Sequence, residues 1–209
     1  MASVVVRGTA ATTVTPDRAQ LSLEIAHRAG DPAAALDEVA RRSGQLVEVL
    51  ARHGLATADW STDGVQVGEE YQWRDNQQVM TGYRAATTVT ATVRAADTVG
   101  GLVRDGVAEV GASVRNLTWH VDRDNPARAA LLADAARDAH TRATAYAGAL
   151  GLRLGEVELI SEMPIPAEPH PGGMRMAMDS APMGAPPVEV SGGQIELSAD
   201  VHVRFALLA

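Results

Sequence analysis

Residues 124–155, DNPARAALLADAARDAHTRATAYAGALGLRLG, restrict the fold of this chain more than any other stretch. Leu131, Ala135, Ala139, Ala143, Tyr146 and Leu150 recur at spacings of three and four, and Leu132, Ala136 and Ala147 widen the stripe, so together they form one face of a helix. Asn125 can cap its start and Pro126 suits the first helical position, while Gly151 supplies a stop. From Asn125 to Leu150 such a rod would be about 39 Å long. Its apolar face is mostly alanine, so the axis can sit close to a sheet. Arg128, Asp134, Arg137, Asp138 and Arg142 are left for solvent or a neighbour.

The rest of the chain supplies that sheet. Val4 and Val6 start a short strand that Gly8 is expected to break. Ala19, Leu21, Leu23 and Ile25 alternate with polar residues, as in a strand with one buried face. Asp31-Pro32 then opens a helix with a stripe of Leu36, Val39, Ala40, Val47 and Leu50. A strand from Trp60 to Tyr71, a polar tip at residues 74–78 and a Thr/Val-rich return strand predict a long hairpin. A short glycine-containing helix over 98–110 and a strand over 114–121 precede the long helix. A strand over 156–162 and another over 195–205 follow it. The order strand, Asp31-Pro32-Ala33, helix, two strands is echoed by strand, Asn125-Pro126-Ala127, helix, two strands. The expected architecture is therefore α+β: two β-α-β-β-like halves with long antiparallel strands and a long Ala-rich helix packed on the sheet, in one domain over residues 1–209.

Composition removes several kinds of chemistry. All 18 basic residues are arginine, so Schiff-base and lysine-base mechanisms have no residue to use, and there is no cysteine for thiolate or disulfide chemistry. A net charge of −8 and an aromatic content of 3% argue against a nucleic-acid partner. No apolar run is long enough for a transmembrane segment. The opening MASVVVRGTA shows neither a basic leader nor a long apolar core. The expected compartment is the cytoplasm, or the periplasm or exterior if the N-terminus was trimmed.

Residues 163–193 stand apart, holding seven of the ten prolines and five of the seven methionines, and are expected to form a long loop. Met174, Met176, Met178 and Met183, with His170 beside them, could hold a soft cation such as Cu(I) through thioether sulfur. Without cysteines or paired histidines the plainer expectation is an adaptable apolar loop and no cofactor. His202 shares a strand face with Asp200, Arg204 and Glu196, an arrangement expected mainly as a solvated outer face. Asp122 and Asp124 flank Arg123 before the long helix, where negative charge favours a helix start. No nucleophile elbow, P-loop or dinucleotide fingerprint is present, so no catalytic residues are assigned.

The opening VVVRGTAATTVTPDRAQLSLEIAHRAGDPAAAL resembles the start of SIMPL-domain proteins, a domain of unknown function that takes in YggE-like oxidative-stress proteins and periplasmic immunogenic proteins. Gly54 with Asp59 and Thr62, Gly82-Tyr83-Arg84-Ala85, the alanine helix with Leu150-Gly151, Leu154-Gly155-Glu156-Val157 and the closing strand after Gly193 extend the likeness over residues 3–207. The resemblance implies an α+β fold without a recognised active site, homo-oligomers of ring or channel-like form, and an envelope or stress role. The hairpin tip and the proline-rich loop are the expected contacts between copies. A different class of function, a methionine-loop soft-metal binder or metal-stress sensor, is the alternative.

Overall fold

The computed structural model describes residues 2–74, 76–165 and 192–209. In chain order the elements are β1 (Ser3–Val14), β2 (Arg18–Ala29), α1 (Pro32–Arg52), β3 (Trp60–Arg74), β4 (Gln77–Val93), α2 (Thr98–Val110), β5 (Ser113–His120), α3 (Pro126–Ala149), β6 (Arg153–Ser161) and β7 (Ile195–Leu208). The fold is α+β, with two antiparallel sheets in two compact units.

One unit carries a four-stranded sheet in the order β3-β4-β2-β5. Alternation in β2 puts Ala19, Leu21, Leu23 and Ile25 on a single face, and β4 adds Ala85, Val89, Ala91 and Val93 to it. Helices α1 and α2 cover that face. The N-cap of α1 is Asp31, whose Oδ1 accepts from the Ala34 amide at 2.9 Å, and Pro32 opens the helix. Its buried stripe is Ala35, Val39, Leu46, Val49 and Leu50, which corrects the expected one. Leu36, Ala40 and Val47 are exposed. Apolar residues flank one another here, so two adjacent stripes fit the helical period, and the sheet selects the one that brings Leu46 inward.

On the outer side of α1, Glu38 accepts from Arg41 and Arg42 at 2.7–2.8 Å. Those two arginines, Arg41 first, lower its pKa from 4.5 to about 2. A carboxyl with a lowered folded pKa adds stability above its unfolded value and loses it as pH falls through the folded one. Melting temperature should therefore drop between about pH 4.5 and pH 2, and less steeply in Glu38→Gln. Equal slopes in thermal melts across that window would show that the pair contributes nothing.

The other unit carries the sheet β1-β7-β6 with α3 across it. Asn125 caps α3, its Oδ1 accepting from the Ala127 amide at 2.9 Å. The helix buries Leu131, Ala135, Ala139, Ala143 and Ala147, and the three central alanines, Ala135, Ala139 and Ala143, pack with Val6, Val201, Val203 and Phe205. Tyr146 and Leu150 are 59% and 70% exposed and Leu132 is also outside, contrary to expectation. The alanine face lies too close to the strands to admit larger side chains, so the stripe runs through Ala147 instead of Tyr146.

Gly8 does not break β1. It lies inside a strand paired with β7 from Ser3↔Ala206 to Val14↔Ile195, directly under the backbone of α3. Asp138, expected on the solvated side, accepts from the Thr9 amide at 2.9 Å and pairs with Arg142 at 2.8 Å. The two halves are realised with one exchange. In the first, β2-α1-β3-β4 follow in order. In the second, the strand before the helix, β5, pairs instead with β2, and β1 completes the sheet of α3, β6 and β7. Sequence order does not record which strand takes that place.

Candidate functional site

Met174, Met176, Met178, Met183 and His170 lie outside the described residues. Among the described residues no group of three or more His, Asp or Glu side chains is placed to hold a metal ion. On β7, His202 Nε2 is 3.9 Å from Asp200 Oδ2, and Arg7 of β1 reaches the other Asp200 oxygen at 3.4 Å. Arg7 and Asp200 are exposed on the face of the three-stranded sheet away from α3, while the His202 side chain is only 17% exposed. Asp122 is structural too: it pairs with Arg18 at 2.8 Å and Arg94 at 2.9 Å, and its amide donates to Asp17.

Two histidine pairs were not legible in sequence because their partners are remote or lie on a strand. His53, the C-cap of α1, has Nε2 2.9 Å from Asp105 Oδ2 on α2, and Gly101 leaves the space its ring fills. The hydrogen bond with His53, helped by Arg104, holds the Asp105 carboxyl below its ordinary range. His120 Nε2 is 3.0 Å from Thr118 Oγ1 on β5. Among the described residues, the acid–histidine and histidine–hydroxyl contacts that a nucleophilic triad needs therefore occur at separate histidines.

Two surfaces of the four-stranded unit have the makings of a site. The first is the β3–β4 hairpin. Pairing of β4 with β2 ends at Ala29↔Tyr83, whereas β3 and β4 continue to Arg74↔Gln77. The last turns of the hairpin are thus a two-stranded arm, closed by Asn76 in the left-handed region and pinned at its root by the Arg28–Glu70 ion pair at 2.6 Å. A register shift after Glu70 puts Tyr71 opposite Met80. Glu69 pairs with the core-facing Tyr83, so Tyr71 and Trp73 continue the core face outward. Val65, Val67, Tyr71, Trp73 and Met80 all lie exposed, Trp73 by 71%, along a free sheet edge. An apolar stripe of this kind on an unpaired strand marks a contact surface.

The second surface is the opposite, polar face of the same sheet. Glu24, its side chain only 14% exposed, accepts from Arg84 of β4 at 2.5 Å and from Arg115 of β5 at 2.6 Å. Burial raises its pKa, but the hydrogen bonds of Arg115 and Arg84 outweigh this and leave it below the ordinary glutamate value. Sequence reading missed this cluster because its members are 60 and 91 positions from Glu24. In the sequence, Arg84 stands out only within Gly82-Tyr83-Arg84-Ala85, one of the stretches that carry the family likeness.

A family model described as SIMPL, protein of unknown function (DUF541), matches residues 4–205. The uncharacterized protein YggE of Escherichia coli K12 is 27% identical over 183 residues, covering 87% of this chain and 74% of its own length. YggE of Edwardsiella ictaluri is 30% identical over 74% of this chain and 65% of its own. The 26 kDa periplasmic immunogenic protein of Brucella melitensis is 26% identical over 99% of this chain and 85% of its own.

Proposed function

The chain belongs to the SIMPL (DUF541) family, and from that premise we propose that it is a non-enzymatic protein that works as a homo-oligomer of ring or channel-like form. The family match runs through both compact units, which supports reading them as one SIMPL-like domain. The observation that carries self-association is the bare edge and arm: Val65 and Val67 lie exposed on β3, and Tyr71, Trp73 and Met80 continue the core face past Ala29↔Tyr83, where pairing with β2 ends. Large aromatic side chains at such an edge dominate association energies when buried. A non-enzymatic role is supported by the relatives, none of which carries an enzymatic name, and by the split histidine pairs.

The test is light scattering on the purified chain. Wild type should give an oligomer at micromolar concentration, and Trp73→Ser with Tyr71→Ser should weaken assembly on the order of 100-fold, the effect of losing two aromatic anchors. A clean wild-type monomer at that concentration would sink the reading.

An envelope or stress role is the biological setting we adopt, because the Brucella relatives are named as periplasmic. No helix among the described residues is long and apolar enough to cross a membrane. Fractionation of the full chain should place it in the periplasm. A wholly cytoplasmic pool would overturn that setting.

A further inference from the structure

On the polar face of the four-stranded sheet, the geometry points to a binding site for a small tetrahedral oxyanion of the phosphate class, held by Arg84 and Arg115. The face is built for more than a ladder. At its centre Glu24 of β2 pairs across to Thr88 of β4. On one side, β5 shifts register between Val114↔Leu23 and Asn116↔Ser22, which sets Arg115 as an additional residue at that point. On the other side, β3 shifts between Thr62↔Val89 and Val65↔Thr87, so Asp63 and Gly64 together stand opposite Thr88. Bulges re-aim side chains, and here two edge strands carry one each, flanking the same cross-strand pair.

Both guanidinium groups touch the carboxylate of Glu24, so they converge on one point of the sheet. That contact uses a minority of their N–H donors. The remainder border an open cavity of about 460 Å³ that Arg28, His27 and Ser113 also line. Three arginines thus face it against the single carboxylate of Glu24, in a chain of net charge −8. Arg28 is further held by Glu70, which leaves Arg84 and Arg115 as the pair with charge to share. A planar carboxylate is already supplied by the protein. A tetrahedral dianion can take donors from two guanidinium planes at once and neutralise the excess. Glu24 then has two roles: it orients the arginines, and it competes with the ligand for them.

This inference does not depend on self-association. Its test is a titration of the full chain with inorganic phosphate at constant ionic strength, followed by calorimetry. Wild type should show saturable binding, acetate should bind at least ~10-fold more weakly, and Arg115→Gln should lose ~10-fold or more of the phosphate affinity, the usual effect of removing a hydrogen bond to a charged group. Glu24→Gln, which removes the competing charge and keeps the side-chain shape, should bind phosphate more tightly. Arg115 lies on an exposed edge strand, so its variant keeps the fold even if Arg84→Gln does not, and circular dichroism checks this. A wild-type response that never saturates, an Arg115→Gln affinity equal to wild type, or acetate binding as well as phosphate would each overturn the assignment. A Glu24→Gln variant that binds no tighter, with its fold intact, would show that the triad is only a staple of the sheet.

Discussion

Replacing Gly8 with alanine is expected to destabilise the three-stranded unit by about 3 kcal/mol or more, the upper range for overpacking a tight contact. An added Cβ would stand 2.0 Å from the Ala135 carbonyl oxygen, 2.5 Å from the Ala139 amide nitrogen and 2.7 Å from the Ala139 Cβ. Two of those three atoms are backbone, so no side-chain rotation relieves the clash and α3 must lift from β1. Lifting it loosens the contacts that bury Val6, Val201, Val203 and Phe205. For a chain of this length the melting temperature should fall on the order of 10 °C. Calorimetry checks the result, because it resolves the units if they melt separately. A shift within one degree of zero, up to measurement error of about that size, would mean that the helix does not rest on Gly8. Leucine at Ala135 or Ala139 should act in the same direction, by pushing from the helix side.

Leu23→Ala is expected to cost about 3 kcal/mol, within the range for truncating a buried leucine. Leu23 is fully buried on β2, a strand with a partner on each side, and its Cδ1 lies 3.5 Å from where a Cβ on Gly106 of α2 would be. The sheet and the helix above it both lose contacts, and neither can collapse into the space without leaving the other. Leu132→Ala is the control. That leucine lies exposed on α3, and its loss should change stability by under about 0.5 kcal/mol. Urea midpoints for the two variants check both values, and equal effects would mean that the burial assigned to Leu23 is wrong.

Much of the architecture is readable in local pattern. The caps Asp31 and Asn125, the prolines after them and the alternation in β2 and β7 involve neighbours within four residues, so sequence spacing contains the information. The errors share one cause. Gly8 looks like a strand breaker when only β1 is considered, and becomes a requirement once α3 crosses above it. The buried stripe of α1 lies about one position from the one its spacing suggests, because apolar residues surround it and the sheet decides which of them turn inward. Met174, Met176, Met178 and Met183, with His170, lie outside the described residues.

The candidate sites were less legible still. The hairpin arm could be expected as a long β-rich pair, but its bare apolar face follows from where β2 ends. The Arg84–Glu24–Arg115 cluster depends on register across three strands and on two bulges, of which the one on β3 is marked in sequence by Gly64, whose φ is 101°, and the one at Arg115 is not.

Sequence alone determined the elements, the α+β class, the family, and the absence of cysteine and lysine chemistry, because each of these is a property of residue identity or short-range spacing. Tertiary structure decided that β1, and not β5, completes the sheet beside α3. It also decided that Gly8 lies beneath a helix and that two arginines meet on one glutamate. Those outcomes depend on which strands pair and in what register, and pairing energy is set by contacts between residues remote in the chain.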